Sequence, residues 1–289
     1  MARCLTCIKK ANQGRLQTDS QIHHAGSSGE DPQEQKVSGM KVAFLSDIHA
    51  NIQAFDACLA HARAQEVQQI ALLGDLVGYG ADPVAVVQKV QSLAAAGAWV
   101  IKGNHDAMAV SPPAQVSSVG ESTAAWTHAQ LDNQQRDFLD KLPLTLLQNK
   151  LFLVHASANE PELWRYVVDE RSAGASLDAA ATWPEVRYVF GGHVHEQTLY
   201  YQGAGSKLMR FIPTTGVAVP LPKHRYWLAT VGSVGQPRDG NSQAMYAVFD
   251  TEKCRLTFHR VAYDHEAAAA AIRQAGLPSY FADRLELGR

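Results

Sequence analysis

The chain has 289 residues, 46% of them apolar, enough to bury one large core or two small ones. Its 26 Lys+Arg nearly balance 28 Asp+Glu for a formal charge of -2, so it offers no basic field to hold a long nucleic-acid backbone. Four scattered cysteines exclude a disulfide framework, and no stretch reaches the roughly 18 uninterrupted apolar residues of a membrane span. With no apolar region of a secretory signal at its start, the expected setting is reducing and cytoplasmic.

Residues 1–39 are polar and aperiodic and read as a disordered leader, with Met40 as an alternative start; residues 40–289 read as one domain. Cys4-x-x-Cys7 and His23-His24 lack the second ligand pair of a structural zinc site. From Lys41 the pattern changes. The apolar run Val42 to Leu45 ends in Ser46-Asp47-Ile48-His49-Ala50-Asn51, and an amphipathic stretch follows to Gln65. The unit repeats with Ile70 to Leu73, the loop Gly74 to Pro83 and a helix to Ala96, then with Trp99 to Ile101 and the loop Gly103-Asn104-His105-Asp106. Strands alternating with helices imply parallel pairing with right-handed crossovers. Two helices are expected between Ser118 and Leu142 as a cap near the loops. A hairpin from Leu144 to Val154 runs into His155, and a helix around Ser176 to Ala181 precedes the strand Arg187 to Phe190 and Gly191-Gly192-His193-Val194-His195. The rest is mostly strand-like up to Val261, with helices from Glu266 and near Tyr280. The segment Gly203 to Trp227 is longer than a hairpin needs and reads as a lid, a dimer surface or an insertion.

Each polar cluster follows the carboxyl end of a strand, where open α/β sheets bind their ligands. The clusters deliver carboxylates, imidazoles and a carboxamide, a mixed O/N set that suits manganese, iron, zinc, cobalt or nickel and lacks the thiolates of structural zinc. Seven donors are too many for one ion and suit two that share a carboxylate. The alternative is that Asp47, Asp75 and Asn104 cap helices or satisfy loop backbone, and that His155, standing alone after an apolar strand, is a core residue.

Asp47-x-His49, Gly74-Asp75, Gly103-Asn104-His105-Asp106, Val154-His155 and Gly192-His193-x-His195 resemble, in that order, the motifs of the calcineurin-like metallophosphoesterase superfamily. Gly232 to Gly240 is similar to the late signature of its small bacterial and archaeal branch. The resemblance implies a four-layer α/β/β/α sandwich of two mixed sheets. It implies that Asp47, His49 and His195 hold one metal, that Asn104, His155 and His193 hold the other, and that Asp75 bridges them. Manganese leads the expected pair of divalent ions. The implied activity is hydrolysis of a small or nucleotide-like phosphate ester, phosphatase or phosphodiesterase, by in-line attack of a hydroxide shared between the metals.

His105, beside Asn104, is assigned to the leaving oxygen, with Asp106 orienting its ring and favouring imidazolium. Tyr79 reads either as a wall of the substrate pocket or as loop structure, and Arg238 either as a phosphate contact or as a turn-stabilising ion pair. The chain departs from the protein phosphatases and dinucleoside tetraphosphatases of the superfamily, whose Gly-Asp continues into a motif with Asp-Arg-Gly; here Leu76-Val77-Gly78-Tyr79-Gly80 follows. The competing functions are a non-catalytic scaffold of the same fold and a nuclease on DNA. Composition leaves the oligomeric state open.

Overall fold

The computed structural model describes residues 39–203 and 207–289. The expected leader, with Cys4, Cys7, His23 and His24, lies outside the described residues. Two six-stranded mixed sheets form the body of the described residues. The first runs, in spatial order, β3 (Trp99–Val100), β2 (Gln69–Leu72), β1 (Lys41–Leu45), β11 (Ala244–Asp250), β12 (Arg255–Val261) and β9 (Ala218–Pro220). The second runs β4 (Thr145–Gln148), β5 (Leu151–Val154), β6 (Tyr188–Gly191), β10 (Trp227–Val231), β7 (Gln197–Gln202) and β8 (Leu208–Phe211). Strands β1, β2 and β3 are mutually parallel, as are β5, β6 and β10, while the other pairings are antiparallel. In each sheet the parallel strands deliver the loops that matter at one edge.

The period of two explains how the sheets stack. Val42, Phe44, Ala71 and Leu73 face Leu151, Leu153, Phe190 and Ala229 across the sandwich, and the Phe44 and Phe190 rings stack with centroids 3.9 Å apart. The alternate residues Ala43, Leu45 and Leu72 face outward and are covered by α1 (Ile52–Ala64) and α2 (Pro83–Ala95) through Phe55, Leu59, Val86 and Val90. On the far side Phe152, Val154 and Val189 are covered by α6 (Glu170–Ala180) through Ala173 and Leu177. Each fully buried Phe or Leu contributes about 1.5–3 kcal/mol. Helix α1 begins where the Asn51 side chain accepts a hydrogen bond from the Ala54 N–H at 3.0 Å, and α2 opens on Pro83, whose missing N–H costs nothing in the first turn. The four layers expected from the sequence are present.

Two local expectations are revised. A helix, α3 (Asn104–Val110), starts at Asn104 itself, so the Gly103-Asn104-His105-Asp106 cluster is a helix start and not an extended loop. The next two helices, α4 (Ala124–Gln130) and α5 (Asn133–Lys141), fall where expected, yet Leu131 and Leu139 join the outer core of the first sheet. Only the preceding turn, Gly120–Thr123, reaches toward the polar loops. The described part of segment 203–227 supplies an edge strand to each sheet, β8 beside β7 and β9 beside β12. Among the described residues no helix is long and apolar enough to cross a membrane. Two last helices, α7 (His265–Gln274) and α8 (Ser279–Leu287), close the fold.

Candidate metal centre

The loops after β1, β2, β5 and β6 meet at one point. They are laced together by backbone hydrogen bonds: Asp47 N–H to Gly74 O at 3.0 Å, His49 N–H to Asp75 O at 2.9 Å, and Gly192 N–H to His155 O at 2.9 Å. The late Gly232 to Gly240 stretch is a brace for the first of them. Val234 and Gly235 donate their N–H groups to Ser46 O and Asp47 O, each at 2.9 Å, and the Ser233 hydroxyl donates to Asp47 O at 2.9 Å. The glycines of the motifs make room for neighbouring carboxylates. A Cβ on Gly192 would fall on Ser46 Oγ and Asp47 Oδ2, and one on Gly103 would fall on Asp75 N and Oδ1.

Asp47, His49, Asp75, His193 and His195 all have left-handed backbone, with φ of 54°, 49°, 50°, 68° and 60°. Such conformations cost a non-glycine residue of order 1–3 kcal/mol each, so the surrounding fold must hold them. Their side chains, with His155, are buried together. Three groups of potential ligand atoms result: Asp47, His49 and His195; His49, Asp75 and His105; and Asp75, His155 and His193, with the atoms of each group within 4.8 Å of one another. Asp75 belongs to two of them. Its Oδ2 lies 3.2 Å from His155 Nε2 and 3.9 Å from His49 Nε2, and Asn104 Oδ1 lies 3.2 Å from His155 Nε2. All seven expected positions are therefore brought to one place.

The imidazole tautomers follow from their outer partners. His49 Nδ1 meets Val77 O at 3.3 Å, His155 Nδ1 meets Leu73 O at 2.8 Å, and His195 Nδ1 meets Gln236 O at 2.6 Å. A carbonyl oxygen only accepts, so each Nδ1 carries a proton and Nε2 is the nitrogen turned to the centre, with a lone pair wherever the ring is neutral. Burial lowers the His49 and His195 pKa values, which keeps both rings neutral. Yet their two Nε2 atoms stand 3.1 Å apart, and buried Asp47 Oδ1, 3.1 Å from His195 Nε2, has no hydrogen-bond partner. Lone pairs and a carboxylate oxygen converging in this way fit a cation and little else. In the third group burial pushes His155 down, but the Asp75 carboxylate outweighs it and raises the ring to about 9, so a proton there stands in for positive charge. Asp75 is lowered well below the usual carboxylate range; burial opposes this, and His155 and His105 overcome it.

Asp106 differs from its expected role. Among the described residues no hydrogen bond joins it to the His105 ring: Oδ1 accepts the Leu76 and Val77 N–H groups at 2.9 and 3.2 Å, and Oδ2 accepts the Gly103 N–H at 2.8 Å. At the third position of α3 its side chain folds back over the helix start and ties the Gly74 loop to it. Burial, then the charge of Asp75, push its carboxyl up to about 7 against the pull of these donors. His105 is likewise not an imidazolium, because burial lowers its pKa. Its backbone N–H donates to Asp75 Oδ1 at 2.8 Å, and its ring borders the cleft beyond the centre.

That cleft, of about 560 Å³, is floored by Asn104, His105 and His193. Tyr79, read from the sequence either as pocket wall or as loop structure, is one wall: its ring lies 4.3 Å from those of both His49 and His105 and stacks on Phe281 of α8 at 4.8 Å. Arg238 is not on the lining. It stands over the Tyr79 ring at 5.9 Å and donates to Gln236 Oε1 at 3.0 Å, while its expected turn ion pair is made by the next residue, Asp239, with Arg260. The opposite wall, Trp164 and Tyr166, was not foreseen, because it comes from an irregular segment with no periodic signal.

A model of the calcineurin-like phosphoesterase superfamily domain matches residues 40–254. An uncharacterized protein of Methanocaldococcus jannaschii is 31% identical over 254 residues, spanning 86% of this chain and 98% of its own. The crystal structure of a metallophosphoesterase from Sphaerobacter thermophilus is similar with 32% identity and a TM-score of 0.76, covering 87% of this chain and 100% of that one. A hypothetical protein from Pyrococcus horikoshii, 19% identical with a TM-score of 0.68 over 86% of this chain and 98% of its own, shares the fold.

Proposed function

Because the chain belongs to the calcineurin-like phosphoesterase superfamily, we propose that it hydrolyses a small phosphate ester with the help of two divalent cations, manganese foremost. Asp47, His49 and His195 would hold one cation, Asn104, His155 and His193 the other, and Asp75 both. The observation that carries this reading is the pair of neutral imidazoles whose Nε2 lone pairs face each other at 3.1 Å beside the unpartnered Asp47 Oδ1. Divalent cations at such a site supply charge that polarises a phosphoryl oxygen and lowers the pKa of water towards neutrality.

The chain's own residues do the rest. The carbonyls of Val77, Leu73 and Gln236 each hold an imidazole by Nδ1–H and so turn the Nε2 atoms of His49, His155 and His195 to the centre. His105, neutral and bordering the cleft, offers a ring N–H to the leaving oxygen; it acts as a hydrogen-bond donor and not as the imidazolium the sequence suggests. The strained loops keep the donors from relaxing when no substrate is bound, so little reorganisation accompanies the reaction. Among the described residues no lysine or arginine lines the cleft, which speaks against a polymeric DNA substrate. The test is turnover of 4-nitrophenyl phosphate and bis(4-nitrophenyl) phosphate after dialysis into Mn²⁺, with EDTA abolishing it. Absence of turnover with every divalent ion tried refutes the reading.

A further inference from the structure

The cleft is apolar and aromatic where a phosphate-binding groove is ordinarily cationic. Tyr79 packs over the His49 and His105 side of the floor. On the other side the Tyr166 ring lies 4.1 Å from that of His193, tilted by 30°, and the Trp164 ring meets His155 edge-on at 5.9 Å. Rings therefore flank both halves of the site. Among the described residues Glu121 is the one charged side chain on the lining other than histidine, so a second phosphate entering here would meet no lysine or arginine on it.

Two features indicate that the aromatic wall is held in place. Trp164 has left-handed backbone with φ 50°, as does Glu160 at 54°, and the two bracket the single turn Pro161–Leu163. A bulky residue adopts that conformation only where its surroundings impose it. Tyr166, although 55% exposed, keeps its ring against a candidate ligand histidine. The same segment and the loop that faces it also carry exposed apolar side chains. Val116, Val119, Leu163 and Val168 are each between 52% and 59% exposed, and the neighbouring Ser118 and Gly120 line the cleft with Trp164 and Tyr166. Single exposed apolar residues are ordinary; here Val119 and Leu163 adjoin the lining residues Ser118, Gly120 and Trp164 in the chain and extend the apolar border of the cleft.

We propose that this cleft selects esters of a single phosphate whose organic group is a flat, uncharged ring, an aryl or nucleobase-bearing alcohol, stacked against Trp164 and Tyr166. The proposal rests on the phosphoesterase reading of the metal centre, and it concerns the leaving-group side of the same site. A ring has a π-face for the Trp164 and Tyr166 rings to cover, and an aliphatic group of equal size does not. The serines at the rim, Ser111 and Ser118, provide hydroxyls for a ring's polar edge without demanding one.

The test uses the Mn²⁺-loaded protein and three probes with the same headgroup: phenylphosphonate, cyclohexylphosphonate and methylphosphonate, titrated calorimetrically and by tryptophan fluorescence. Phenylphosphonate is expected to bind about tenfold or more tightly than methylphosphonate, with cyclohexylphosphonate between them, from the strength of ring stacking on aromatic side chains. In Trp164→Ala and Tyr166→Ala the phenyl advantage shrinks toward parity, and Trp164→Phe retains most of it. Equal binding of phenyl- and methylphosphonate to the wild type overturns the proposal, as does a cyclohexyl affinity equal to the phenyl one or a phenyl advantage that survives in both alanine variants. Hydrolysis of 4-nitrophenyl phosphate by the same wild-type preparation is scored separately. A ring preference without turnover leaves this inference standing and removes the hydrolase reading, and turnover without ring preference does the reverse.

Discussion

Replacing Asp106 by alanine separates a structural carboxylate from a catalytic one. Its two oxygens accept three buried backbone donors, from Leu76, Val77 and Gly103, at 2.8–3.2 Å. Among the described residues no other acceptor serves those N–H groups. Leaving a buried donor unsatisfied costs about 1–3 kcal/mol, and water entering the vacated space recovers part of it, so a net loss of about 3–5 kcal/mol follows for the three. On a domain of this size each kcal/mol lowers Tm by roughly 2–4 °C, giving a fall of about 10 °C. Asp106→Asn keeps one accepting oxygen and turns a donor toward another donor, so it should fall between alanine and wild type. Thermal unfolding followed by circular dichroism, run in EDTA so that bound cations do not contribute, measures this directly. If Asp106→Ala keeps its unfolding midpoint within about 2 °C while losing turnover, the structural assignment is wrong and the residue works through His105 after all.

Other consequences are equally direct. In Gly192→Ala the new methyl collides with Ser46 Oγ and Asp47 Oδ2, so the variant should lose about 1–3 kcal/mol of stability to overpacking and bind Mn²⁺ more weakly, read by denaturation and metal titration. His259, stacked on Tyr246 with centroids 5.0 Å apart, is held down to about 4 by burial and then by His61. Its unfolded-state pKa is near 6.5, so between those values the unfolded chain binds the extra proton, and stability is full above about pH 6.5 and lost as pH falls toward 4. The ring is only partly buried, which reduces the effect to about 1–2 kcal/mol; His259→Phe should keep the stack and flatten the unfolding midpoint across that window. Adding Mn²⁺ at about 100 times its Kd should raise stability by roughly 2.7 kcal/mol, seen as a concentration-dependent Tm that EDTA reverses.

The strand-end motifs were readable because their grammar is local. A short continuous apolar run, a glycine that lets a neighbouring carboxylate approach, and then a ligand-type side chain are all written in consecutive residues, and so Asp47, His49, Asp75, Asn104, His155, His193 and His195 could be singled out as the side chains that the fold gathers. What failed was inference from adjacency. Asp106 follows His105 in the chain, but at the third position of a helix its carboxylate turns back to the preceding loop, so neighbours in sequence point apart. The tautomer-fixing partners of His49, His155 and His195 are backbone carbonyls, which leave no trace in residue identity. Trp164 and Tyr166 lie in a segment whose shape is imposed by left-handed residues, and neither period nor motif announces it. In segment 203–227 the strand-like run at Leu208 was readable and is β8, whereas the three-residue β9 carries too little alternation to read, and nothing in the sequence assigned the two to different sheets.

The account depends on Asp75 joining two cation sites, and elemental analysis of protein loaded with Mn²⁺ and freed of excess tests it most directly. Two equivalents per chain are predicted for the wild type. Asp75→Asn, folded by circular dichroism, should retain fewer and lose turnover by more than the roughly 10–100-fold typical of groups that merely support a ligand. A wild-type chain that holds no metal, or a folded Asp75→Asn chain that keeps two equivalents and full turnover, would contradict it.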